Sequence, residues 1–441
     1  MSISTISVIS IILGLVILMG LSFRNFPVYA VGIIASLVVI IGSRMELMPS
    51  LEKSYSSGFV SFAQANFLML LMSSFFAKLM EVSGATRVIA FKLISLLKHF
   101  KKNQKFAAIV IMGSITGLFT LGGINLFVTV FLLVGIYREL AQEIDLPWHY
   151  YMASCWASST FCMTMIPGSP AIPNLIPIPY LGTDASAAPV LGILSAIFCL
   201  FLILIYLWVS VKQSEKKGEG FLPTGALIKD QSISVDMSMP DIPLWKCLVP
   251  SIVILVVLNG PKFAPFVSLA IGCLVAWIIF HNQLQGIKQL FADGAFNALT
   301  VCGNVGAIVG FGSVVAASPG FTAIINALDS IPGTDAIKVV VSISIAAGAT
   351  GSASGGLGLG LEALGDKLLA LDLPPAVIHR LATISCGTLD SLPHSGGTFM
   401  MLGVGKLTLK NSYKHIFWTC TVIPAIVSVF AILLVNMGIL Y

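Results

Sequence analysis

Charge is what this sequence has least of. Only 10% of its 441 residues are Asp, Glu, Lys or Arg, where a soluble chain carries about a quarter. Hydrophobic residues make up 57%, the mean hydropathy is +0.97, and several apolar runs reach roughly 17–25 residues, the length a membrane helix needs. A soluble fold is excluded, and an all-α polytopic membrane protein is expected. The apolar start, Met1–Phe23, lacks the basic segment of a cleavable signal peptide and reads as the first membrane helix. The eight cysteines form no CxxC pair, so disulfides and metal sites are not expected and small buried apolar groups are. A Walker A motif is missing, which excludes an ATP-driven pump. HExxH, GxSxG and any well-spaced nucleophile–base pair are missing too, which argues against an intramembrane hydrolase. No cofactor, metal or nucleic-acid partner is expected.

What the sequence does contain is a set of interrupted apolar segments. The clearest is His379–Lys406, apolar at both ends and broken over Gly387–Gly397, where Gly387, Pro393, Gly396 and Gly397 stand beside Thr388, Asp390, Ser391, His394, Ser395 and Thr398. Backbone freed from helical pairing at membrane depth must face protein or a water-filled cavity. An ionisable residue at that depth costs roughly 3 kcal/mol or more, so Asp390 and His394 are functional candidates by default. Pro147–Leu181 is a second broken span, with Pro167-Gly168-Ser169-Pro170 at its break and Ser158, Ser159, Thr160 and Asn174 nearby. Phe106–Leu140 is interrupted at Gly122-Gly123, closely followed by Asn125, and Asp335–Leu371 at Ser352, Ser354, Gly355 and Gly356. Both are expected to be re-entrant hairpins, although the first also fits two full spans.

These features repeat in order. TLGGIN, EIDLP and SSTFCMTMIPGSP in one half correspond to SASGGLG, ALDLP and SCGTLDSLPHSGG in the other. Each half contributes three spans, an amphipathic helix (Ala85–Lys102 in the first), a hairpin, a broken span and a final span. Five crossings per half is an odd number, so the second half is expected to be inverted. Paired interrupted helices in inverted repeats point to a midplane site in a secondary transporter. The expected division is residues 1–211, a polar cytoplasmic linker at 212–243, and residues 244–441. With two hairpins, about 17 of the 24 basic residues fall on one side, the cytoplasm by the positive-inside rule, which leaves both termini outside.

The residues LTLGGIN, IPGSPAIPNLIPIPYLG, ATGSASGGLGLGLEALG and GTLDSLPHSGGTFMMLGV resemble the gluconate permease family of the ion transporter superfamily, and the likeness runs through essentially the whole chain. The resemblance implies a plasma-membrane permease for small hydroxylated monocarboxylates such as gluconate, lactate or 3-hydroxybutyrate. It further implies proton symport, paired hairpins around an anion site, and a homodimer. The hairpin tips Gly122, Gly123, Asn125 and Ser354, Gly355, Gly356 would offer hydrogen-bond donors to a small organic anion, with Ser159, Thr160, Gly168, Ser169, Thr388, His394 and Ser395 around it. Helix N-termini carry partial positive charge suited to a carboxylate. The bland alternatives are close packing at the glycines, local hydroxyl bonds, and structural bracing by His394 or Asp390. Asp390 is the expected proton carrier, with His394 tuning it. Arg380 either clamps a carboxylate or anchors a helix end near the headgroups. Rival readings are a sodium-coupled di- or tricarboxylate symporter, whose Ser-Asn-Thr tip pattern is missing, and a passive anion channel.

Overall fold

A computed structural model describes residues 3–24, 26–97, 103–121, 126–169, 171–229, 241–259, 263–284, 286–327 and 332–439. The first hairpin tip, Gly122, Gly123 and Asn125, lies outside the described residues. Among the described residues the chain is helical throughout and contains no strand.

The first half runs α1 (Ile3–Phe23), α2 (Val28–Gly42), α3 (Leu47–Val82), α4 (Ala85–Leu97), α5 (Gln104–Leu121), α6 (Leu126–Glu143), α7 (Tyr150–Thr164) and α8 (Pro189–Lys216). The second runs α9 (Leu244–Asn259), α10 (Pro265–Phe280), α11 (Ile287–Ala316), α12 (Pro319–Ala327), α13 (Asp335–Thr350), α14 (Ala353–Leu369), α15 (Pro375–Cys386), α16 (Gly396–Gly405) and α17 (Leu409–Asn436). Six of these, α1, α3, α5, α8, α11 and α17, are long and apolar enough to cross a bilayer. Helix α2, with 15 residues, spans only about 22 Å and falls short of a 30 Å hydrocarbon core.

Local chemistry sets these boundaries. Proline opens α8, α10 and α15, where its missing N–H costs nothing and its φ is already helical. Helix α7 stops at Thr164, short of the prolines at 167–179 that cannot continue it. Two short helices, Ile172–Leu175 and Pro177–Leu181, fill that break. Helix α15 ends at Cys386 and the chain resumes as α16 at Gly396, so the second break lies within the expected Gly387–Gly397. The amphipathic helix is observed as α4; residues 98–102 lie outside the described residues.

The halves interlock instead of standing side by side. Helices α3 and α11 pack together at the centre, α11 also against α2 and α3 against α10. Helix α1 packs on α12, and α9 on α4. The α1–α12 contact is close: the Gly320 N–H donates to Ser7 Oγ at 2.7 Å. One expectation needs correction. The 212–243 segment is not wholly solvent-exposed, because α8 continues to Lys216 and the residues after it bury Phe221 and Ile228. Their apolar side chains find cover against the membrane domain.

Candidate functional site

A cavity of about 700 Å³ lies between α3, α7, α11, the α13–α14 turn and the second break. Thr120 and Leu126, on either side of the first hairpin tip, are on its wall, as are Thr350 to Gly355 at the second. Described residues flanking both glycine-rich interruptions therefore reach one cavity. Its apolar walls come from Phe62, Met69, Trp156 and Ile308, and hydroxyl and amide groups from Asn66, Thr160, Thr164, Ser313 and Ser395. No Lys, Arg or His lines it among the described residues.

Helices α14 and α16 start at this cavity, as do α6 at Leu126 and the short helix Ile172–Leu175. Helix α14 begins at Ser352, whose Oγ accepts from Gly355 N–H at 3.2 Å, the ordinary way an N-cap satisfies one free donor. Helix α16 begins after Ser395, with Gly396 and Gly397 on the cavity wall. Free N–H groups and the helix dipole give such ends a positive character suited to a carboxylate. A helix C-terminus, that of α15, also reaches the cavity through Gly387.

Asp390 lies on the same wall. Its Oδ1 is buried and has no hydrogen-bond partner among the described residues. No basic side chain lines the cavity among the described residues, so a charged carboxylate there would have no ion-pair partner on the wall. Burying a carboxylate that way is costly, and a proton or a bound cation relieves the cost.

The turn carrying the second tip is fastened to the break. His394 is buried, and its Nε2–H donates to the Gly348 carbonyl at 2.6 Å. Gly351, in the turn between α13 and α14, has φ +64°, a conformation in which a side chain is strained. A Cβ there would also sit 3.0 Å from the His394 ring. Gly356 faces the Ala347 backbone so closely that any side chain would overlap it. It lets α13 and α14 pack together and is not on the cavity wall.

Of the residues expected at the site, Thr160, Ser354, Gly355, Asp390 and Ser395 line the cavity, while Ser159, Gly168, Ser169, Gly356, Thr388 and His394 do not. Ser159 is buried against Thr120, with the two hydroxyls 3.1 Å apart. Gly168 N–H donates to the Ala185 carbonyl at 2.9 Å, and the buried Ser169 hydroxyl has no partner among the described residues. Thr388 donates to the Ser385 carbonyl at 2.7 Å. No hydrogen bond joins Asp390 Oδ1 to His394, whose Nδ1 is likewise without one.

Arg380 takes neither role expected of it. It is fully buried and away from the cavity wall. Its guanidinium donates to the carbonyls of Ala187 and Ala185 and to Asn174 Oδ1. These acceptors all belong to the first half, next to its break. Asn66, Thr164, Ser313 and Thr350 on the cavity wall were missed. Asn66, which with Gln64 interrupts a largely apolar stretch, was the one with a legible signal.

A Bacillus subtilis (strain 168) protein named "Uncharacterized transporter YxjC" is 28% identical over 453 residues, which cover 93% of this chain and 94% of that one. No family model matches the chain. The likeness to gluconate permeases therefore rests on the motifs alone. The apolar helices and this relative support a multi-pass membrane protein.

Proposed function

We propose that the protein is a secondary active transporter that carries a small hydroxylated monocarboxylate across the plasma membrane by proton symport. The observation that carries this reading is one cavity holding the N-termini of α14 and α16 and a buried carboxylate oxygen without a partner among the described residues. The helix ends suit the substrate carboxylate, and the Ser and Thr hydroxyls suit its hydroxyl groups. Asp390 suits the coupling proton, because neutralising it removes an unpaired charge from an apolar setting. The name of the Bacillus subtilis relative agrees with a transporter.

The architecture in this reading is two inverted repeats of five spans and a re-entrant hairpin, joined by the 212–243 linker. The exchange of partners between halves supports it: α1 on α12 against α9 on α4, and α2 on α11 against α10 on α3. So does the approach of the residues flanking both interruptions, Thr120 and Leu126 on one side and Thr350 to Gly355 on the other, to one cavity. The distribution of basic residues supports a cytoplasmic linker with both termini outside, and the protein acts as a homodimer in this reading, as the resemblance implies.

The test is uptake of labelled gluconate, lactate and 3-hydroxybutyrate into proteoliposomes under an imposed pH gradient. Accumulation above equilibrium that a protonophore abolishes is the expected result. Equilibration without accumulation would make the protein a passive channel. Accumulation that needs sodium and ignores pH would replace the coupling ion. A thermal-shift screen against short organic acids narrows the substrate, since a native-state ligand stabilises by mass action.

A further inference from the structure

Four helices that line the central cavity meet again at their other ends. Helix α3 contributes Met69 to the cavity and Ser74 to a second, smaller pocket of about 70 Å³. Helix α11 contributes Val305 to the first and Val301 to the second, while α6 and α16 reach both as well. At 1.5 Å per residue, only about 6–9 Å of helix separates the two spaces. Leu70, Val130 and Met401, which lie between the two sets of wall residues along α3, α6 and α16, are buried.

Polar ties cross the smaller pocket. Arg138 Nη1 of α6 bonds to Glu81 Oε1 of α3 at 2.8 Å. Lys406, at the end of α16, donates to Asn297 Oδ1 of α11 at 3.3 Å. Each tie joins one helix of the central α3–α11 pair to a helix adjoining a hairpin tip or a break. Lys406 has φ +50°, a position glycine fills without strain.

The linker covers the same place. Phe221 N–H donates to Asp145 Oδ1 at 2.8 Å, and the Phe221 ring lies against Trp148. From this anchor the chain carries Ile228 into the wall of the small pocket, where it is 6% exposed.

We propose that this pocket is the closed inner gate of the transport path, locked by Arg138–Glu81 and Lys406–Asn297 and capped by Ile228 of the linker. The proposal rests on the transporter reading above. It explains why the linker folds back instead of running free, and why the ties across the gate are few: they break and re-form in every cycle. Lys78, Arg138 and Lys406 outnumber Glu81 and Glu139 there, so the opened gate attracts an anion leaving the cavity.

The test is the labelling rate of Val301→Cys by a charged methanethiosulfonate reagent in inside-out vesicles, measured over the background of the chain without that cysteine. Labelling is expected to be slow, and Glu81→Gln and Ile228→Gly should each speed it about tenfold. Ile228→Gly leaves the buried ion pair intact, so it decides the matter if Glu81→Gln fails to fold. Equal rates in folded Val301→Cys protein with and without Ile228→Gly would overturn the gate. If labelling separates as stated while no organic acid is accumulated, the gate stands and the substrate reading falls. If accumulation is normal while the labelling rates are equal, the gate alone falls.

Discussion

Arg380 Nη1 lies 3.0 Å from Asn174 Oδ1, so a cation on the second broken span holds the break of the first. The guanidinium is surrounded by carbonyl oxygens and has no carboxylate partner among the bonds it makes. It satisfies backbone groups that the prolines leave without helical partners.

Arg380→Met is therefore expected to destabilise the fold by about 3 kcal/mol, because several buried acceptors lose their donor. Arg380→Lys should recover little, since a single ammonium cannot reach acceptors arranged around a planar fork. Thermal unfolding in detergent measures both. A variant with wild-type stability and weakened substrate affinity would return Arg380 to the binding site.

Asp390→Asn is expected to abolish accumulation driven by a pH gradient while retaining counterflow exchange of substrate, because exchange does not require the proton to cycle. Proteoliposome uptake and exchange separate the two. Normal pH-driven accumulation in Asp390→Asn would remove Asp390 from the coupling step and make sodium the next ion to test.

His394 is expected to act through its bond to Gly348. His394→Gln keeps a donor and should leave folding and the pH profile of uptake near wild type, whereas His394→Ala should lower thermal stability by about 1–3 kcal/mol. A His394→Gln variant with normal stability and a displaced pH profile would make the imidazole a titrating participant.

The two glycine-rich tip positions separate packing from binding. Gly356→Leu should prevent α13 and α14 from packing and lose folded protein, since a side chain would overlap the Ala347 backbone. Ser354→Ala, on the cavity wall, should fold normally and bind substrate several-fold more weakly, the effect of losing about 1 kcal/mol of hydrogen bonding. Normal uptake in Ser354→Ala would place the substrate elsewhere in the cavity.

Orientation is tested with single cysteines at Lys217 and Thr334, both exposed. An impermeant reagent should label Thr334→Cys alone in intact cells. Ser214 is unsuitable because it is buried and its hydroxyl donates to Glu219. Labelling of Lys217→Cys instead would invert the topology.

The breaks were legible because glycine and proline act through the backbone, and backbone rules are local. Cys386 and Gly396 bound the second break within a residue of where Gly387 and Gly397 place it. Asp390 was legible as an acid where acids are costly. Arg380 was misread because its partners, Asn174 and Ala187, lie roughly 200 positions away in the chain. No local pattern announces such a contact. The folding back of the linker was missed for a similar reason: Phe221 and Ile228 are isolated apolar residues in a polar stretch, and only the docked surface explains them.

The lack of a basic side chain in the cavity limits the number of protons that can be carried. Charge at a helix end belongs to peptide groups and does not titrate, so it holds a carboxylate equally well at pH 5 and pH 8. Asp390 is then the cavity's single acid–base group among the described wall residues. On the proton-symport reading proposed above, the described wall therefore offers one residue, Asp390, to carry a proton, whatever the substrate. A measured ratio above one proton per substrate would have to draw on a group outside this cavity.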